Sequence, residues 1–123
     1  MSLLMCPVCR HSLDLVENSW RCENGHHYDV AKQGYVNLHV VQHKHSKSPG
    51  DTAESVLARR EFLQKGFYAP LQNAVVELLQ TLQPSSILDI GCGEGYYTSA
   101  MQGCAKVCIG VDIAKTADRK SVV

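Results

Sequence analysis

Three cysteines and three histidines fall within residues 6–27, and the spacing of the cysteines, His26 and His27 limits what the N-terminal segment can fold into. Cys6 and Cys9 are separated by two residues, and Cys22 is followed by His26 and His27. Tetrahedral zinc in a structural site takes four such ligands, and a C-x2-C turn directs both sulfurs at one ion. We predict zinc on the three cysteines and His26, because the glycine turn before His26 brings it back toward the metal, whereas His27 begins a strand-like run.

The alternative is a set of buried free thiols beside a surface histidine pair. The N-terminal sequence lacks the basic and apolar regions of a signal peptide, and no apolar run reaches the roughly 18 residues of a membrane span. We therefore expect a cytoplasmic protein with no membrane partner, whose thiols stay reduced. Six cysteines in that compartment favour metal binding and packing over disulfides.

The chain changes texture twice along its 123 residues. Residues 1–38 are short alternating runs broken by turn residues, which predicts hairpins around the metal, a small zinc ribbon too short to fold without its ion. Residues 39–84 begin with a histidine- and lysine-rich loop and continue as two helices. Lys+Arg and Asp+Glu are balanced at 12 each, so any basic surface that attracts nucleic acid must be local.

Capping and proline signals predict the ends of the two helices. Asp51 with Glu54 three residues later forms a capping box, and Gly66 ends that helix. Pro70 suits the first residue of the second helix, which Pro84 ends. An apolar stripe at helical spacing follows Pro70: Leu71, Ala74, Val75, Leu78, Leu79 and Leu82.

Residues 85–123 read as strand, glycine turn, helix and strand, followed by a polar tail. That order is the opening βαβ unit of a parallel sheet, so the fold class is α/β. One βαβ unit cannot cover both faces of its sheet, so we expect the truncated start of a larger domain. The predicted organisation is a ribbon (1–38), a basic loop with two helices (39–84) and an incomplete α/β domain (85–123).

The glycine turn lies in "LDIGCGEGYYT", where Gly91, Gly93 and Gly95 alternate after Asp89. Glycines permit positive φ and let a ligand approach the backbone. The spacing is neither a Walker loop nor GxGxxG. Asp112 closes the next strand, where a carboxylate can accept both ribose hydroxyls of a nucleoside. The pattern is similar to the first motif of class I S-adenosylmethionine methyltransferases, which places Asp89, the three glycines and Asp112 in a predicted donor site. A dinucleotide site and a purely structural turn are the alternatives.

Seven segments then occur in one order along the chain: CPVCRHSL, C-x3-H, AKQGYVNL, QHKHSKSPGD, ARREFL, GFYAPL and LDIGCGEGYYT. In this order they resemble the large-subunit (23S) rRNA guanine-N1 methyltransferase family, in which a zinc ribbon precedes a class I (Rossmann-like) methyltransferase domain. The resemblance covers the chain to about residue 115, and the tail beyond does not resemble the family. It implies zinc on the four ligands, S-adenosylmethionine as methyl donor and large-subunit rRNA as partner.

The resemblance also implies that Tyr68, Gly93 and Glu94 contact the donor. From the residues alone, Tyr68 is a packing aromatic beside a helix start. The loop at residues 42–51 is an RNA-contacting element or simply a solvated connection. No residue is assigned as the catalytic base, and a homodimer is left open.

The function predicted from these features is methyl transfer from S-adenosylmethionine to N1 of a guanine in an rRNA hairpin. We expect the 123-residue chain alone to be inactive, since the base pocket and the remaining donor contacts are missing from it. The rival hypothesis is a non-catalytic zinc-ribbon module that binds nucleic acid. A methyltransferase acting on protein or a small molecule is a third.

Overall fold

The computed structural model describes residues 2–40 and 52–113. The chain divides into two compact units, Met1–Lys47 and Ser48–Val123. The units group the two predicted helices with the α/β segment, while the functional division into 1–38, 39–84 and 85–123 stays a prediction. The loop at 42–51, with its expected RNA contacts and Asp51, and the polar tail beyond residue 115 lie outside the described residues.

The first unit is a three-stranded antiparallel ribbon, which confirms the predicted hairpins. Strands β1 (Asp14–Val16), β2 (Ser19–Arg21) and β3 (His27–Asp29) are ordered β1-β2-β3. Trp20 lies opposite Leu15 on one side and Tyr28 on the other. The buried core is Cys6, Leu13 and Cys22, with Trp20 and Tyr28 among the side chains packed against it. Metal-ligand candidates therefore occupy much of the core.

Helix α1 (Ala53–Gln64) opens the second unit, and its cap differs from the predicted one. Thr52 is the N-cap, and its hydroxyl accepts a hydrogen bond from the Ser55 amide at 3.2 Å. The predicted capping box, with Glu54 in the third helical position, was therefore wrong by one residue, because Ser55 occupies that position. The helix stops before Gly66, whose φ of 85° gives the predicted left-handed ending.

Helix α2 (Ala69–Leu82) begins one residue before Pro70, the predicted first position, so Pro70 lies in its first turn. Its C-cap is Gln83, which adopts a left-handed conformation just before Pro84. None of the helices in the described residues is long and apolar enough to cross a membrane.

The predicted apolar stripe of α2 is only partly covered. Leu71, Leu78 and Leu82 are all more than half exposed, whereas Val75 and Leu79 are half-buried. Gln72 is also half-buried, and its amide donates a hydrogen bond to the Tyr96 carbonyl at 2.6 Å. The neighbouring segment, residues 96–104, contacts α2. Helical periodicity identifies an apolar stripe but does not say where the neighbour lies.

The α/β segment confirms the predicted order of strand, turn, helix and strand. Strand β4 (Ser86–Ile90) is followed by helix α3 (Tyr96–Met101), a 3-10 turn (Gln102–Cys104) and strand β5 (Val107–Val111). β4 and β5 pair in parallel, with Leu88 opposite Ile109. The fully buried Thr98 of α3 donates a hydrogen bond to the Asp89 carboxylate at 2.6 Å. That bond ties the helix to β4.

The two faces of this sheet differ in what covers them. Gly110 of β5 is buried beneath α3, close to Thr98. On the opposite face, Leu88 and Ile90 are 59% and 79% exposed. Parallel strands normally have both faces covered, so the described residues supply one layer of helix over one face.

We predict that Gly110→Ala destabilises the second unit. A Cβ at this position would lie 2.9 Å from Cys92 Sγ and 3.2 Å from Thr98 Cγ2. Overpacking of this kind costs about 1–3 kcal/mol, and thermal unfolding should show a lower midpoint. Gly103→Ala is the matched control, because a Cβ there meets no atom within 4 Å. Equal midpoints for the two variants would contradict the close packing of α3 on β5.

Candidate metal centre and glycine-turn site

The first pair of cysteines lies on a tight turn closed by backbone hydrogen bonds. The Cys6 amide donates to the His11 carbonyl at 2.8 Å, and the Arg10 amide donates to the Cys6 carbonyl at 2.9 Å. Arg10 has a φ of 64°, which turns the chain back after Cys9. Both sulfurs therefore stand on the same side of the turn.

The second pair of ligands lies on the connection between β2 and β3. The Cys22 amide donates to the His26 carbonyl at 3.0 Å, and the Gly25 amide donates to the Cys22 carbonyl at 3.1 Å. Gly25 has a φ of 85°, a conformation that glycine adopts without strain. This turn brings His26 to the cysteines, whereas His27 begins β3 and is exposed.

The four ligand atoms of Cys6, Cys9, Cys22 and His26 all lie within 4.8 Å of one another. The two sulfurs of Cys9 and Cys22 are 3.6 Å apart, and His26 Nδ1 is 3.6 Å from Cys6 Sγ and 3.4 Å from Cys22 Sγ. Around tetrahedral zinc, ligand atoms lie about 3.8 Å apart for two sulfurs and about 3.6 Å for sulfur and nitrogen. The cluster therefore fits a closed tetrahedral zinc site.

Hydrogen bonds and burial act in opposite directions on the three thiols. A hydrogen bond from the His11 backbone is the largest influence on Cys9 and lowers its pKa to about 5, against the effect of burial. Burial is the largest influence on Cys6, but hydrogen bonds from Tyr28 and the backbone outweigh it and lower its pKa. Burial raises the pKa of Cys22. A divalent cation would hold all three as thiolates.

Tyr28 supports the cluster from outside the ligand set. Its hydroxyl lies 3.4 Å from Cys6 Sγ, and donating to that thiolate raises the Tyr28 pKa to about 12. Such partners orient metal ligands. The sequence analysis missed Tyr28, although the two-residue period of a strand places residue 28 on the same face as residue 26.

The glycine turn is fastened to the end of β5. Gly91, Gly93 and Gly95 have φ values of 72°, 58° and 86°. The Gly91 amide donates to the Val111 carbonyl at 2.8 Å, and the Gly93 amide donates to Asp112 Oδ2 at 2.9 Å. A Cβ at Gly91 or Gly93 would meet no atom within 4 Å. The backbone of the turn is therefore open to a ligand.

A cavity of about 280 Å³ lies between this turn and α1. It stands beyond the carboxyl ends of the two parallel strands, which is where open α/β sheets bind their ligands. Its lining includes Val56, Arg60, Leu63, Gly93, Glu94 and Asp112.

An ion pair joins α1 to the glycine turn inside this cavity. Arg60 Nε donates to Glu94 Oε2 at 2.6 Å, and Arg60 Nη2 donates to Glu94 Oε1. The Glu94 side chain is 15% exposed, and pairing with it raises the Arg60 pKa. Arg60 was not predicted from the sequence, because no local pattern relates residues 34 positions apart.

Two residues predicted for the donor site lie elsewhere in the second unit. Tyr68 is the N-cap of α2, and its ring stands edge-on to Phe62 with centroids 5.5 Å apart. Asp89 accepts the hydrogen bond from Thr98. Neither Tyr68 nor Asp89 lines the cavity. The structure thus gathers the three glycines, Glu94 and Asp112 around one opening.

Residues 4–47 match the zinc-ribbon family described as "RlmA, N-terminal". The chain is 39% identical over 98 residues to the "23S rRNA (guanine(748)-N(1))-methyltransferase" of Streptomyces fradiae, covering 76% of this chain and 34% of that relative. Residues 4–47 therefore belong to this zinc-ribbon family, and the chain is similar to 23S rRNA guanine-N1 methyltransferases over most of its length. Two proteins named "Putative 23S rRNA (guanine-N(1)-)-methyltransferase" are also similar. The Bacillus subtilis protein is 35% identical, and the match covers 93% of this chain and 43% of that protein. The Micromonospora griseorubida protein is 31% identical, and the match covers 96% of this chain and 46% of that protein.

The chain thus spans less than half the length of these methyltransferase relatives. The matched ribbon contains the whole Cys3His cluster. A zinc ribbon with this donor set and these distances is a structural Zn²⁺ site, because all four tetrahedral positions belong to the protein.

We predict one zinc ion per chain. His26→Ala and Cys6→Ser should each abolish stoichiometric zinc, measured by elemental analysis of the purified protein, because each removes one of four ligands. His27→Ala is the matched control and should retain the ion. Loss of zinc from His27→Ala with retention in His26→Ala would contradict the ligand set.

Proposed function

We propose that this protein transfers a methyl group from S-adenosylmethionine to N1 of a guanine in a large-subunit rRNA hairpin. The observation that carries the proposal is the bond from the Gly93 amide to Asp112 beside an open cavity. It places a carboxylate and a bare stretch of backbone together at the ends of adjacent parallel strands, as a nucleoside site requires. The names of the relatives supply the acceptor.

In the proposed donor site, Asp112 accepts hydrogen bonds from the ribose hydroxyls. A carboxylate offers about four acceptor positions, so its two oxygens can accept from both hydroxyls of a ribose. Gly91, Gly93 and Gly95 let the donor lie against the turn, and Glu94 borders the same cavity. The assignment of Tyr68 and Asp89 to the donor rests on the family motifs.

The chemistry asks the protein mainly for positioning. Guanine N1 attacks the methyl carbon in line, the carbon–sulfur bond breaks, and the sulfonium becomes a neutral thioether while the N1 proton leaves to a base. N1 is paired in duplexes, so the acceptor guanine must be unpaired or extruded. We assign no described residue as that base.

The ribbon has a separate role in this proposal. Its zinc is structural and takes no part in the transfer, and the compact module recognises the shape of an rRNA hairpin. The loop at residues 42–51 is proposed as a further RNA contact on the basis of its lysines and histidines. The cytoplasm is the proposed location, because three thiolate ligands require a reducing compartment.

Donor binding should depend on Asp112 and Gly93. Asp112→Ala removes charge-assisted hydrogen bonds and should weaken S-adenosylmethionine binding about tenfold or more, measured by calorimetry. Gly93→Val should weaken it further, because a β-branched residue opposes the φ of 58° and its side chain enters the cavity. Asp14→Ala, an exposed change in the ribbon, is the control.

RNA binding, measured by filter retention, should survive both donor-site changes. Unchanged donor affinity in Gly93→Val would mean that the turn is structural. If RNA binding alone remained in the wild type, the non-catalytic ribbon module would be the better description.

The reaction itself can be tested with a chimera. This chain replaces the matching part of the Streptomyces fradiae relative, and radiolabelled methyl transfer to unmodified large-subunit RNA is followed to 1-methylguanine in the digest. We expect labelling that is lost in Asp112→Ala, with thermal unfolding used to confirm that both chimeras fold. A folded chimera that leaves the RNA unlabelled, beside an active relative, would contradict the proposal.

A further inference from the structure

The glycine turn is held from two directions by groups distant in sequence. On one side, Asp112 at the end of β5 accepts the Gly93 amide. On the other, Arg60 of α1 holds Glu94, the next residue of the turn, through two hydrogen bonds. Adjacent residues of the turn are therefore fixed by two different elements, and the cavity opens between those elements.

The geometry of the second restraint is specific to arginine. The guanidinium presents two parallel N–H groups to the two oxygens of Glu94, an arrangement that a lysine ammonium cannot reproduce. The Arg60 and Glu94 side chains are 34% and 15% exposed, so solvent screens this pair less than a surface pair. Removing a paired arginine from a largely buried carboxylate leaves the desolvation of that carboxylate less well compensated.

Helix α1 faces the cavity with side chains at one-turn spacing. Val56 is its buried residue, and Val56, Arg60 and Leu63 line the cavity at one-turn spacing. One side of α1 therefore forms a wall of the cavity, and Arg60 supplies a polar link from that wall to the turn.

We propose that Arg60 is a positioning residue of the donor site, which holds Glu94 and the glycine turn against α1 so that the helix forms one wall for a cationic nucleoside donor. This inference rests on the proposed function. The competing arrangement has Glu94 attracting the positive charge of the donor directly, with Arg60 competing for it. The two arrangements predict opposite results when Arg60 is removed.

The test measures S-adenosylmethionine affinity by calorimetry in a set of variants. Arg60→Ala should weaken binding about tenfold, and Arg60→Lys, which keeps the charge but not the paired hydrogen bonds, should recover part of the loss. Glu94→Gln should weaken binding to a similar extent. The double variant, Arg60→Ala with Glu94→Gln, should bind the donor no more weakly than Glu94→Gln alone, because both changes break the same ion pair. Arg21→Ala, in the ribbon, is the control.

A second ligand separates positioning from direct charge attraction. S-adenosylhomocysteine has the same nucleoside but lacks the sulfonium charge, so a displaced wall should weaken both ligands equally. If Glu94 attracts the charge directly, Arg60→Ala should tighten the cationic donor and leave the neutral product unchanged. Thermal unfolding of each variant shows whether it is folded at the temperature of the titration.

The outcomes distinguish the two proposals. A wild-type chain that binds neither ligand contradicts the proposed donor site and this inference together. A wild-type chain that binds, with Arg60→Ala equal or tighter, overturns the role of Arg60 alone. Weakening with additive effects of the two single variants also overturns it, because the residues would then act separately.

Discussion

The convergence of four donor atoms within 4.8 Å governs the ribbon. Its core contains three buried side chains, and two of them, Cys6 and Cys22, are themselves ligands. The strands have three residues each, too little apolar surface to hold two loops together by burial alone. Without a cation, burial opposes the charged form of Cys22, and with zinc all three sulfurs bind one common centre as thiolates. Metal affinity and folding free energy are therefore largely one quantity in this unit.

The second unit depends on contacts that serve both folding and binding. The amides of Gly91 and Gly93 close the sheet onto the end of β5, and the same bonds present the turn to the cavity. Gly110 lets Thr98 approach the sheet, and the Thr98 hydroxyl donates a hydrogen bond to the Asp89 carboxylate. The packing beneath α3 therefore helps to fix the position of the glycine turn relative to the two strands. A substitution beneath α3 is therefore expected to change the shape of the glycine turn without contacting a ligand there.

The sequence was most informative where the chemistry is local. Metal-ligand spacing and the alternating glycines predicted the cluster and the βαβ order, because each depends on a few neighbouring residues. The helical period placed Leu71, Leu78 and Leu82 on one face, but it could not say that these three side chains stay exposed. The pair of Arg60 and Glu94 could not be predicted, since it depends on the path of the chain between them. Local patterns name the candidates for a site, and tertiary packing selects among them.

The hydrogen bonds that shape the glycine turn can form only late in the synthesis of this segment. Gly93 is held by a carboxylate 19 residues later in the chain, so the turn emerges from the ribosome before the group that fixes it. The donor atoms of the ribbon all lie within residues 6–26. At about 5–20 residues per second, the ribbon can close on its ion several seconds before the turn acquires its shape. The nascent chain therefore completes its metal cluster before its glycine turn.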